Sequence, residues 1–93
     1  MLRRTLIEEV GMIEGSLYYY KQPVAENPAK TIISFFKDFD TALKAMQRDV
    51  ESFFGDTDIS VALDCLGLEY NRTGNSSATA SFEEFEWSVG EVA

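Results

Sequence analysis

The stretch NPAKTIISFFKDFDTALKAMQRDVESFFG, Asn27 to Gly55, carries the one long regular pattern in the chain and decides how its fold is read. Its apolar positions Ile32, Phe36, Phe39, Leu43, Met46, Val50 and Phe53 are spaced alternately four and three apart, which is the stripe of an amphipathic helix. Asn27 suits an N-cap and Pro28 the first helical position, where the missing N–H costs nothing. Gly55 suits the stop, while Lys30, Lys37 and Lys44 run along the polar side toward Glu51. The spacing predicts one helix over about 28–54.

A rival reading makes Thr31 to Phe36 a β-branched, aromatic strand, turns the chain over Lys37 to Phe39, and caps with Asp40 a shorter helix ending at Phe54. Length favours some such division. About 27 helical residues at 1.5 Å each reach roughly 40 Å, against a radius of gyration of about 12 Å for a compact domain of this size. The single helix must therefore break near Asp38 or share its stripe with another subunit. A coiled-coil seam is a poorer use of the stripe than a sheet, since a two-stranded seam prefers Leu and β-branched residues to Phe.

Toward the N-terminus, Leu2, Leu6, Val10 and Ile13 fall at helical spacing, interrupted by Gly11. The alternative, taken here, is a pair of strands, Thr5 to Val10 and Ser16 to Lys21, across a turn near Glu14 and Gly15, because three consecutive tyrosines suit a pleated surface. Alternation makes Tyr19 face away from Tyr18 and Tyr20, so at least one ring belongs to the core. Tyrosine also offers contact area with a polar tip, which makes Tyr18 and Tyr20 candidates for partner contact.

Toward the C-terminus, Asp56-Thr57-Asp58 reads as a polar turn, followed by strands 59–70 and 78–89 joined by Asn71 to Ser77. Placing Tyr70 opposite Ala78 pairs Ile59 with Val89, Val61 with Trp87, Leu63 with Phe85, Leu66 with Phe82 and Leu68 with Ala80, apolar on both sides. The apolar positions change parity near Leu66 and again between Phe82 and Phe85, which implies a bend, a twist or a bulge near Glu83. Asn71-Arg72-Thr73 and Asn75-Ser76-Ser77 match the glycosylation sequon but read as ordinary turn residues. The end, Gly90 to Ala93, is expected to fray.

In that register Asp64 lies opposite Glu84, with Glu86 on the same exposed face. Like charges directly opposite are destabilising. They could hold a hard cation, act as a general acid and base, meet Lys and Arg on a partner, or simply face solvent with relaxed rotamers. No recognisable metal-binding loop, phosphate-binding glycine run or nucleophile motif accompanies them, so no cofactor or metal is expected.

Ninety-three residues imply a single domain, 1–93, with one core and little stability to spare. The chain contains no histidine, which removes the commonest general base and the Ser-His and Cys-His pairs. The single cysteine, Cys65, sits in an apolar run and is expected to be a buried or half-buried structural thiol, since its surroundings are acidic rather than cationic. Apolar runs are far short of the roughly 20 residues needed to span a bilayer. Arg3 and Arg4 lead into Glu8 and Glu9 rather than a signal sequence, so a cytoplasmic location is expected.

The net charge of −8 is uneven: residues 1–48 balance at +1 and residues 49–93 at −9. Such a C-terminal half disfavours direct contact with nucleic acid or anionic membranes and suits a basic protein surface. The expectation is an α+β protein with an antiparallel sheet packed on the long helix. It is expected to be a non-enzymatic, inhibitor-like module that binds through Asp64, Glu69, Glu83, Glu84, Glu86, Tyr18 and Tyr20. Its size and charge are those of immunity-type inhibitors and phage-encoded antagonists of host systems, by analogy alone. The other readings are a homodimer or larger assembly completed by the helix stripe, and a carboxylate-based metal or small-ligand binder.

Overall fold

The computed structural model describes residues 17–92, and the readings of residues 1–16 as helix or strand lie outside these. The fold is α+β. Strands β1 (Tyr18–Val24) and β2 (Asn27–Phe36) are followed by helices α1 (Phe39–Phe53) and α2 (Ile59–Cys65), then strands β3 (Glu69–Thr73), β4 (Ser77–Phe82) and β5 (Phe85–Glu91). All pairings are antiparallel, in the order β2-β1-β5-β4-β3. Helix α1 lies on one face, chiefly over β1 and β5.

The single helix over 28–54 is corrected: residues 27–36 are a strand, and the helix begins only at Phe39. Thr31-Ile32-Ile33 is a β-branched run that favours a pleated strand. Ile32 and Phe36 are four apart, which keeps them on one side of a helix and equally on one face of a strand, so they continued the stripe without being helical. Asn27 accepts the N–H of Ala29 at 3.2 Å, an Asx turn entering β2 rather than a helix cap. The cap is Asp38, whose Oδ1 accepts the N–H of Thr41 at 2.8 Å. That bond holds the Asp38 carboxyl below the usual carboxylate range. The rival division into strand and helix is therefore the observed one, with the cap at Asp38, two residues before the expected Asp40.

Within α1 the stripe behaves as expected. Phe39, Leu43, Met46 and Val50 are buried, against Tyr18, Tyr20, Ala78, Ala80, Trp87 and Val89 from the sheet. Fifteen helical residues at 1.5 Å each cover about 22 Å, which the sheet can match. Gly55 ends the helix at φ +73°, and its N–H donates to the carbonyl of Ser52 at 3.0 Å. Asp56 follows at φ 62°, so the chain turns sharply into α2. Glu51 Oε2 accepts the N–H of Ile59 at 3.0 Å, tying the two helices together.

The two-strand reading of 59–70 and 78–89 is also corrected. Residues 59–65 are the helix α2, started by Asp58, whose Oδ1 accepts from the N–H of Ser60 at 2.8 Å. Residues 78–89 are two strands, because the chain reverses at Glu83 and Glu84 and sets Phe82 opposite Phe85. A two-residue turn puts i and i+3 on one face, which accounts for the parity change. β3 keeps only Glu69 and Tyr70 of the expected strand and runs on to Thr73, and Tyr70 faces Ala80 rather than Ala78, a slip of two that leaves it on the same face.

The C-terminal end does not fray through Val92, since Glu91 closes β5 and the N–H of Val92 donates to the carbonyl of Leu17 at 2.8 Å. Cys65 is exposed at the end of α2, not buried as expected. The seven-residue helix leaves its Cys65 side to solvent and buries Ala62 instead. The other side of the sheet carries Tyr19, whose hydroxyl lies 2.7 Å from the place a Cβ on Gly90 would occupy. Only glycine leaves room there for the ring to cross β5.

Candidate functional site

The C-terminal end of α1 gathers the aromatic residues. Phe53 lies 4.8 Å from Phe85, 5.2 Å from Trp87 and 6.1 Å from Phe82 between ring centroids, and Phe54 lies 5.0 Å from Phe82. These are offset or edge-on contacts of the kind aromatic pairs favour. Phe53, Phe54, Phe82 and Phe85 are only half-buried, so the cluster closes the core while presenting ring surface.

Beside it runs an open groove of about 510 Å³ between α1 and the ends of β1 and β5. Phe53, Phe85 and Trp87 form its apolar floor, Asp49 and Ser52 one wall, and Gln22 and Pro23 the other. Asp49 stands four residues before Phe53, on the same side of the helix. Its Oδ2 accepts the hydroxyl of Tyr20 at 2.8 Å, which fixes the carboxylate at the groove wall. Burial, and then that bond to a carboxylate, push the Tyr20 phenol far above the ordinary tyrosine range.

Carboxylates outnumber cations at this end, where Arg48 beside Asp49 also acts on the Tyr20 phenol. The carbonyl end of α1 carries a partial negative charge, and its last turn holds Glu51 and no basic residue. The turn leading into Phe85 is Glu83-Glu84, both exposed. Glu83 adopts φ 55°, a conformation that favours glycine and is sparsely populated by residues with a Cβ.

The residues picked from the sequence separate into three groups. Glu83 and Glu84 sit at the cluster, and Glu86 follows on β5 but faces the opposite side of the sheet from Phe85 and Trp87. Asp64 is exposed on α2 and Glu69 opens β3, so the expected pairing of Asp64 across from Glu84 is not formed. Among the described residues no group of three or more acidic or cysteine side chains converges as metal ligands would. Tyr18 and Tyr20 are 9% and 1% exposed and belong to the core, because their strand positions face α1. Neither ring has surface to offer a partner.

Asp49, Phe53, Phe85 and Trp87 were not singled out from the sequence. Two signals pointed to them: Asp49 and Phe53 at helical spacing of four, and Phe85 and Trp87 at strand spacing of two. No family model matches this chain, and comparison with curated proteins and with solved structures finds no match. No helix among the described residues is long and apolar enough to cross a membrane.

Proposed function

We propose that this chain is a non-enzymatic binding module that takes a basic segment of a partner protein at the aromatic, acidic end of α1. The observation that carries this reading is the groove itself: half-buried Phe53 and Phe85 in the floor beside buried Trp87, a fixed carboxylate in the wall, and two further carboxylates at the adjoining turn. An arginine or lysine side chain suits such a place, since its cation is attracted to ring faces and to carboxylates together. The partner's other charges meet a C-terminal half of balance −9, which favours fast, salt-sensitive association. Glu83 adds support, because a strained position is held by a carboxylate where glycine would fit more easily.

The test uses Trp87, the one tryptophan in the chain and part of the groove floor. Titration with a short arginine-rich peptide is expected to change its fluorescence saturably, with affinity falling steeply as salt rises. A flat titration at low salt would count against the proposal.

A further inference from the structure

We infer that β2 pairs with β2 of a second copy, joining two five-stranded sheets into one. The strand is the edge of the sheet, so one side of its backbone has no partner among the described residues. It is ten residues long, and its centre, Thr31 to Phe36, holds no charge and no proline. Edges are normally kept from pairing by charges, prolines or bulges; here those devices sit only outside the centre, at Pro28, Lys30 and Lys37. Ile32 and Ile33 are each 51% exposed and Phe35 42% exposed, so the edge is apolar on both faces of the sheet.

Symmetry and charge select one register. Two identical antiparallel strands are related by an axis normal to the sheet, so the axis must pass through a residue facing its own copy. With the axis at Ser34, Ile33 faces Phe35, Ile32 faces Phe36, and Lys30 of each copy faces Asp38 of the other. Every exposed apolar residue of the edge then meets an apolar residue, and both ends close on opposite charges. With the axis at Ile33, Lys30 faces Phe36 and Lys37 faces Ala29, and no charge is matched. With the axis at Ile32, Glu26 faces Asp38, a like-charge pair. Asp38 spends Oδ1 on its helix cap, which leaves Oδ2 for the lysine. Helix α1 lies chiefly over β1 and β5 and less over β2, so the second copy approaches it only at its capped start. On the other face, Ile33 and Phe35 line a shallow hollow of about 360 Å³ with Tyr19 and Val92, which the second copy extends across the axis.

The first measurement is light scattering on the full chain at micromolar concentration, where a mass twice the 10.5 kDa chain is expected. Ile33→Lys is expected to give the monomer with an unchanged far-ultraviolet spectrum, because Ile33 lies at the exposed edge. The register is read by cysteine cross-linking in a Cys65→Ser background. Facing residues in an antiparallel pair have Cα atoms about 4.5 or 5.5 Å apart, within reach of a disulfide, so Ser34→Cys should oxidise to a linked dimer. Ile32→Cys should not, because two copies of that residue stand roughly 13 Å apart along the strands. A monomeric wild-type chain overturns the inference. A dimer that survives Ile33→Lys, or that links through Ile32→Cys in place of Ser34→Cys, overturns it equally.

Discussion

Tyr20 shows how one residue joins core to site. Its ring is packed under α1 while its hydroxyl reaches Asp49 at 2.8 Å. Replacing it with phenylalanine removes a hydrogen bond to a charged group and is expected to cost about 1.5–3 kcal/mol, measured by denaturant unfolding. The phenol's raised pKa also has a pH signature. A group whose folded pKa lies above its unfolded value contributes stability that is complete below the unfolded value, about pH 10 for tyrosine. Stability should therefore fall as pH rises above 10, and ultraviolet titration compared between wild type and Tyr20→Phe should find the Tyr20 phenol protonated until the chain unfolds. Glu83 makes the opposite case. Glu83→Gly relieves a left-handed φ and is expected to stabilise the protein by about 0.5–1 kcal/mol in thermal unfolding, while weakening binding of the basic peptide. A variant that is neither more stable nor a weaker binder would remove Glu83 from the site.

At the scale of elements, the division between β2 and α1 rests on Asp38. Asp38→Ala should lower the melting temperature more than Asp38→Asn, since asparagine also caps. The carboxyl's lowered pKa means that its contribution is present above the usual carboxylate value and fades as pH falls through the folded one. The Ala and wild-type proteins should then converge in stability at acid pH. In the core, Met46→Ala empties a fully buried site and is expected to cost about 2–5 kcal/mol in chemical unfolding.

These elements also show what could be read from the chain beforehand. The buried side of α1 from Phe39 to Phe53 was legible, because four turns of helix repeat the pattern enough times to separate a period of 3.6 from a period of 2. Ile32 and Phe36 were not, because a single spacing of four satisfies both. The turn at Glu83-Glu84 was visible only as a parity change, since neither residue is of the type that such turns favour. Residues 59–65 read as strand because Ile59, Val61 and Leu63 alternate, whereas α2 buries the intervening Ala62 and leaves Val61 and Leu63 exposed. Of the carboxylates at the proposed site, Glu83 and Glu84 were legible from charge and Asp49 was not. The site's aromatic half was hidden, because Phe53 and Phe85 meet only when the helix is laid on the sheet.

For the whole molecule, the two ends of α1 differ in what they hold. The carbonyl end of α1, the Glu83-Glu84 turn and the aromatic groove lie together. The other end carries the capped start of α1 and Arg72, whose guanidinium sits 5.2 Å from the Phe39 ring centre. A chain that binds a basic segment as proposed should respond to where charge is removed and not only to how much. Two double variants change the net charge equally: Glu83→Gln/Glu84→Gln at the groove, and Asp40→Asn/Glu91→Gln at the far end. The most direct test compares their affinities for the same arginine-rich peptide, followed through Trp87 at fixed ionic strength. The groove variant is expected to bind roughly tenfold more weakly than wild type, a loss of about 1.4 kcal/mol, and the far-end variant to bind as wild type does. Equal weakening by both would mean that net charge alone attracts the peptide, and would contradict the site.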